Sequence, residues 1–287
     1  MSGADGTVPV AVPGLLGDTA GRDYADKLRL FNRFAAPEIK AAILGLGLRD
    51  GMHLLDAGCG TGEGLQWLRD AAGPHAHLVG LDLSAAHVRA ARGIVHESVT
   101  VLQGDLLTTA LPLSSFDLIW SANALHHLRD PTAGLKRLAT LLRPGGRIAI
   151  GQSSLLPELY FAWDSRLERL IREAVRRYYQ ERYALDEREL AGARNIIGWM
   201  QEASLRNIAP RTFVIERTAP LAASDHEYLL EAIFRGTWGN GRLRPYLAPA
   251  DYEALQRLSD PGDRDFALRR PDFHFIQTFT LLVGERS

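Results

Sequence analysis

Gly58, Gly60 and Gly62 alternate in the run Asp56-Ala-Gly-Cys-Gly-Thr-Gly-Glu63, which follows directly on the apolar residues 53–57. Glycines let a backbone turn tightly and let a ligand approach without meeting a Cβ. Leu65, Leu68 and Ala72 then fall at helical spacing, so the loop opens a helix. A glycine turn between a first strand and a helix is the nucleotide-binding corner of a doubly wound sheet. In the dinucleotide fingerprint G-x-G-x-x-G a pyrophosphate rests on the helix N-terminus. Here the third glycine position is Glu63, and Asp56 adds a second carboxylate at the strand end. Two negative charges disfavour a phosphate and suit a nucleotide that carries positive groups. Asp82 ends the apolar run 77–83 about 20 residues beyond the loop, where an acid can accept hydrogen bonds from both ribose hydroxyls. Ser84 is available as the cap of the next helix, which leaves Asp82 for the ligand.

Two imidazoles follow the apolar run 116–121, in Ala122-Asn-Ala-Leu-His-His-Leu128. At the carboxyl end of a strand, His126 or His127 can take a proton from a phenol, a hydroxyl or a protonated amine. An ordinary imidazole there loses that ability below about pH 6.5. Adjacent residues in a turn point differently, so only one of the two faces a cavity. The pair also suggests a metal, but no third ligand is visible nearby, and no metal is expected. His274, between Phe273 and Phe275, reads as core or edge packing.

A nucleotide that meets the charge requirement is S-adenosylmethionine, with a sulfonium, an α-amino group and no phosphate. Leu55-Asp-Ala-Gly-Cys-Gly-Thr-Gly62 resembles motif I of the class I S-adenosylmethionine-dependent methyltransferases. Three further elements follow in that superfamily's order: Asp82, Gly104-Asp105-Leu106, and Leu142-Arg-Pro-Gly-Gly146. The resemblance implies that Asp105 bonds the adenine amine and that the Leu106 amide meets a ring nitrogen. It also implies that Leu83 and Asn123 belong to the cofactor site and that Tyr24 stands by the methionine end. By analogy with relatives carrying Asn-Ala-Leu-His, His126 is the first candidate for catalysis and His127 the second. Methyl transfer is a direct displacement, so alignment is the enzyme's main task. The function expected is methylation of a small, largely apolar or aromatic acceptor on oxygen or nitrogen in secondary metabolism, with carbon methylation left open. The alternative is a protein that keeps the cofactor for another reaction or a structural role. A nicotinamide oxidoreductase shares the fold class, but Glu63 and the Arg-Pro-Gly-Gly turn count against it.

The elements that must position these residues read as an α/β fold, a doubly wound, seven-stranded, mostly parallel sheet with a helical cap from insertions. Strands are expected at 53–57, 77–83, 98–104, 116–121, 147–151, 212–216 and 273–283. Residues 1–21 read as a flexible segment, and 22–154 as the cofactor-binding core with its N-terminal helices. Tyr24, Leu28, Phe31 and Phe34 lie at helical spacing, and Pro37 is placed to start a second helix. Helical patterns also cover 84–91, 132–142, 155–183 and 187–205. The insertions 155–185 and 220–271 concentrate aromatics, and 186–219 with 272–287 complete the sheet. Tyr160, Trp163, Tyr178, Tyr179, Phe234 and Trp238, with Tyr228, are expected to wall an acceptor site under that cap; a homodimer interface is the other reading.

With 287 residues, 46% of them hydrophobic, the chain can bury a full core. A formal charge of −1 gives no basic footprint for nucleic acid. Cys59 is the single cysteine, which excludes an internal disulfide. No apolar run reaches the roughly 18 residues of a membrane span, and no signal pattern opens the chain, so a cytoplasmic location is expected.

Overall fold

The structure is a computed structural model that describes residues 24–153, 158–159, 164–186 and 192–287. The strands are β1 His53–Ala57, β2 His77–Asp82, β3 Thr100–Gln103, β4 Phe116–Ala122, β5 Leu142–Ser153, β6 Glu158–Leu159, β7 Arg206–Thr218 and β8 His274–Glu285. They line up as β3-β2-β1-β4-β5-β8, with β7 along the other edge of β8. The first five are parallel, whereas β8 is antiparallel to both of its long neighbours. The two residues of β6 pair with Phe275 and Ile276, in line beyond the point where β5 leaves β8 at Phe279. The sheet therefore has the seven strand positions expected from the sequence. Its order reverses between β1 and β4, the switch point where open α/β sheets hold ligands.

The central strands read as continuous apolar runs because both of their faces are buried. Leu54, Leu118, Trp120 and Ala149 enter one core, while Leu55, Ile119, Ile148 and Ile150 enter the other. Helices α1 (Ala25–Leu44), α2 (Glu63–Ala72) and α3 (Ala85–Arg92) feed the first core. Helix α4 (Pro131–Leu141) feeds the second. Helix α5 (Ser165–Tyr183) joins the first core, and α6 (Ile196–Glu202) the second.

Pro37 lies inside α1 and does not open a second helix. An interior proline costs about 3 kcal/mol. On either side of it Phe34, Ala35, Ile39, Ala42 and Ile43 bury one stripe, and each large apolar side chain so buried contributes about 1.5–3 kcal/mol. Packing outweighs the lost hydrogen bond.

Residues 220–271 form α7 (Ala223–Tyr228), a π-helical continuation over Leu229–Trp238, and α8 (Pro249–Ser259). This insertion leaves the end of β7, and α5 follows β5, so both start from the carboxyl edge of the parallel strands. The two meet through Arg166 of α5 and Asp251 of α8, 2.7 Å apart. Tyr246 donates to Glu181 at 2.7 Å, and the Arg177 guanidinium lies 5.2 Å from the Tyr246 ring centre. Arg217 of β7 ties in α1 and α7, reaching Glu38 at 2.8 Å, Asp225 at 3.2 Å and the Phe34 carbonyl at 2.6 Å. The expected segment 1–21, the start of the helix expected at 155 and residues 187–191 lie outside the described residues.

Candidate active site

Gly58, Gly60 and Gly62 all adopt positive φ in the turn after β1. A Cβ on Gly58 would stand 2.5 Å from Ala124 Cβ, and one on Gly62 would stand 2.9 Å from Ala91. Those two glycines are fixed by protein packing against the end of β4 and against α3. Gly60 differs, because the nearest atom to its Cβ position is Leu28 Cδ1 at 3.5 Å. Among the described residues nothing else lies within 4 Å of that position. Tyr24, the N-cap of α1, sits one turn before Leu28.

The carboxylates do not behave alike. Glu63, the first residue of α2, accepts from Asn32 Nδ2 at 2.8 Å and from the Thr61 hydroxyl at 2.5 Å. An acid is favourable at that helix end. Asp56 is only 3% exposed, and burial, then the charge of Asp82, pushes its pKa up to about 8. The expectation of two standing negative charges is corrected accordingly: near neutrality Asp56 is mostly protonated. Gly64, given no role from the sequence, makes room for it, since a Cβ there would lie 2.8 Å from Asp56 Oδ2.

Asp82 accepts from the Gly60 amide (2.9 Å) on one oxygen and from the Ser84 amide (2.9 Å) on the other. His87 Nδ1 lies 3.2 Å from that second oxygen. A carboxylate offers about four acceptor sites, so Asp82 keeps acceptor capacity beyond these three contacts. His87 is a site residue that sequence reasoning missed, and its position one turn into the helix capped by Ser84 was the available signal. Asp105 accepts from the Leu107 amide at 2.7 Å, which turns the chain after β3. Leu83 is half-buried beyond β2, and Leu106 packs against the second core.

Asn123 has φ of 52° and spends both ends of its amide on Ser153, donating to its hydroxyl at 3.2 Å and accepting from its amide at 2.7 Å. Its observed work is to clamp β4 to β5, where the sequence placed it on the cofactor. The next turn, Leu125–His127, holds the two imidazoles with ring centres 3.9 Å apart. His126 Nδ1 lies 3.1 Å from Gln152 Oε1, and Gln152 Nε2 donates to the Ser153 carbonyl at 2.9 Å. A carbonyl can only accept, so the amide nitrogen must face it and the amide oxygen must face His126. Nδ1 then carries the proton, and Nε2 presents its lone pair. Gln152, at the end of β5, is a second residue the sequence reading missed. Burial pushes the pKa of His126 down to about 4, offset in part by Gln152. Burial and His126 together hold His127 well below the usual imidazole range. The titration expected near pH 6.5 is thus moved far to the acid side.

The aromatic residues divide. Tyr178 and Tyr179 are partly buried, edge to face at 5.5 Å, and line a small cleft with Lys27 and Arg242. Phe234 and Trp238, expected on an acceptor wall, are 0% and 5% exposed and belong to the core. The Phe234 ring packs 5.9 Å from Phe266 and 5.1 Å from Trp238. Tyr228 is likewise buried, stacked on Phe34 at 4.3 Å. These rings join the second insertion to the first core. Tyr160 and Trp163 lie outside the described residues. His274 pairs with Glu216 at 2.7 Å on the β7–β8 edge. Among the described residues no three His, Cys, Asp or Glu side chains converge as metal ligands. Nor is any helix among them long and apolar enough to cross a membrane.

Residues 55–150 match the family described as a methyltransferase domain. The 27-O-demethylrifamycin SV methyltransferase of Amycolatopsis mediterranei (strain S699) is 36% identical over 117 residues, 39% of this chain and 42% of the relative. The malonyl-[acyl-carrier protein] O-methyltransferase of Pseudescherichia vulneris is 38% identical over 127 residues, 42% of this chain and 49% of the relative. The chain thus spans less than half the length of these two curated relatives. Among solved structures, phosphoethanolamine N-methyltransferase 2 of Haemonchus contortus in complex with S-adenosyl-L-methionine aligns with a TM-score of 0.53 at 18% identity. That alignment covers 94% of this chain and 59% of the other, and it shows the shared fold. The glycine loop lies inside the matched residues 55–150, and that part of the chain is similar to a methyltransferase domain on the fold these structures share.

Proposed function

We propose that this chain transfers a methyl group from S-adenosylmethionine to an oxygen or nitrogen of a small acceptor. The observation that carries the reading is the neutral His126, its Nε2 lone pair unprotonated, on a turn packed directly against the glycine loop through Ala124 and Gly58. The loop residues fit the cofactor: Gly60 leaves an open approach, and Asp56 is a buried carboxyl whose proton a neighbouring cation would displace. Asp82 would hold a ribose hydroxyl and Asp105 the adenine amine. When bound, the cofactor supplies an electrophilic methyl group on a sulfonium that leaves readily. Through Nε2 His126 would accept a hydrogen bond from the acceptor's O–H or N–H, orient the acceptor's lone pair for transfer and take the proton that methylation makes acidic before passing it to solvent, while the insertions, through Tyr178 and Tyr179, wall the acceptor off from water. Incubation with methyl-labelled cofactor and a panel of phenols, alcohols and amines should yield products heavier by one methyl, with S-adenosylhomocysteine released. Tight cofactor binding with no transfer to any acceptor class would favour a protein that keeps the cofactor for another purpose.

The same reading makes cofactor binding release a proton. Asp56 is mostly protonated at pH 7, and a sulfonium or ammonium beside it lowers its pKa. Titration calorimetry in buffers of different ionisation enthalpy should show release approaching one proton at pH 7 and falling away above pH 8. In Asp56→Asn the release should vanish. Buffer-independent heats for the natural chain would refute this.

A further inference from the structure

We propose that the cleft between the first turn of α1, helix α5 and the π-helical turn of the second insertion binds an oxyanion of the methyl acceptor, a carboxylate or phosphate, through Lys27 and Arg242. The inference rests on the methyltransferase reading and names its acceptor class. Lys27, Val175, Tyr178, Tyr179, Arg242 and Leu243 line the cleft, with Gly236 and Thr237. Both charged lining groups are cations, and among the described residues no carboxylate lines the cleft. Three acids of the surrounding elements are engaged elsewhere, and Glu173 of α5 is not among the lining residues. Glu181 takes Tyr246 at 2.7 Å and Arg177 at 3.9 Å, Glu231 takes Arg235 at 2.6 Å, and Asp26 lies 3.5 Å from Arg29. Neither Lys27 nor Arg242 has an ion-pair partner among the described residues; Arg242 instead lies over the Tyr178 ring at 5.8 Å.

Two cations sharing a cleft repel until an anion arrives, and the repulsion is visible. Lys27 is exposed as a residue, yet the protein atoms crowding it, and then the Arg242 charge, hold its ammonium below the ordinary lysine range. An oxyanion between the two removes that penalty. Position points to the acceptor. Lys27 adjoins Leu28, whose Cδ1 lies 3.5 Å from the Cβ position of Gly60, so the first turn of α1 links the cleft to the glycine loop. The tyrosines add flat apolar walls. The π-helical segment widens the backbone here, and Gly236 lines the cleft with its main chain, a Cβ there being excluded by the Glu231 carbonyl at 2.6 Å. Such widened turns are frequent at functional sites.

Benzoate and its neutral isostere benzamide are suitable probes, titrated calorimetrically at low salt in the presence of S-adenosylhomocysteine. Benzoate should bind about tenfold or more tightly than benzamide. Lys27→Met and Arg242→Met, which keep apolar stems, should each weaken benzoate about tenfold while leaving benzamide and S-adenosylhomocysteine unchanged. Retained S-adenosylhomocysteine binding also shows that the variants are folded. Equal affinity for the two probes, or unchanged benzoate binding in both variants, would overturn the proposal. So would a parallel loss of S-adenosylhomocysteine affinity, because the pair would then serve the cofactor's own carboxylate. Preferred binding of benzoate by a chain that transfers no methyl group sustains the oxyanion cleft and refutes the methyltransferase reading. Methyl transfer with no benzoate preference does the reverse.

Discussion

Replacing His126 with alanine lowers turnover by about 10- to 100-fold, the loss of one well-placed hydrogen bond of about 1.5–3 kcal/mol at the reacting atom. Affinity for S-adenosylhomocysteine should stay nearly unchanged, since in the proposed function the side chain serves the acceptor and not the cofactor. The size of the effect follows from the titration. A general base works best with a pKa near the working pH and then contributes about 10²–10⁴-fold. Burial has pushed His126 down to about 4, so it holds a donated hydrogen well and removes a proton poorly. Orientation of the acceptor lone pair is therefore the larger part of its work.

The pH profile separates this from an ordinary histidine base. The neutral form is the active one, so the rate should stay level through pH 6.5 and fall only as pH 4 is approached. A limb near 6.5 would return the residue to a solvent-exposed imidazole and contradict the burial. Stability must be followed alongside. The unfolded chain takes this proton near its ordinary pKa of about 6.5, whereas the folded chain takes it near 4, so protonation favours unfolding and stability falls as pH drops through that window. Asp56 acts in the opposite sense: its raised folded pKa contributes stability at low pH that is lost as pH rises through about 8. Gln152→Leu removes the partner that fixes the Nδ1 proton. It should lower turnover in the same direction, and Gln152→Glu, which still accepts from Nδ1, should recover part of it and raise the pH of the acid limb.

What could be read from the chain was what depends on local order. The glycine turn and the strand ends that carry Asp82 and Asp105 were legible because they stand at fixed offsets, and strands buried on both faces announce themselves as apolar runs. Gln152 was not legible, because its role comes from the parallel register that lays the end of β5 beside the turn after β4. His87 reaches Asp82 only through the turn of α3. Phe234 and Trp238 were misplaced for a related reason: an aromatic-rich insertion looks the same in sequence whether its rings face a ligand or one another. Only the packing of α7 and its π-helical continuation against Phe34 and Phe266 distinguishes the two. The titrations were the least legible of all. Asp56 and Glu63 lie seven residues apart, yet one is buried beside a like charge and the other is held by two donors.

Replacing Gly60 with valine should abolish cofactor binding and leave a folded protein. The loop gives Gly60 its open side, with only Leu28 Cδ1 within ordinary contact distance of a Cβ. A branched side chain there meets no backbone and projects into the space the ligand must enter. Loss of more than about 100-fold in affinity, or about 2.7 kcal/mol, is expected for S-adenosylhomocysteine. The cost to folding is smaller: φ of 52° is unfavourable for a side-chain-bearing residue by about 1–2 kcal/mol. Melting should therefore drop by only a few degrees for a chain of this size. The bond from the Gly60 amide to Asp82 can persist, because the substitution leaves the amide in place. Gly58→Ala supplies the contrast. Its Cβ would lie 2.5 Å from that of Ala124, adding a packing clash of about 1–3 kcal/mol to the same backbone strain. Two substitutions two residues apart should thus part company: Gly58→Ala is read mainly in the melting curve, and Gly60→Val mainly in the binding isotherm. Normal cofactor binding by a folded Gly60→Val protein would show that the ligand does not pass over this face of the loop.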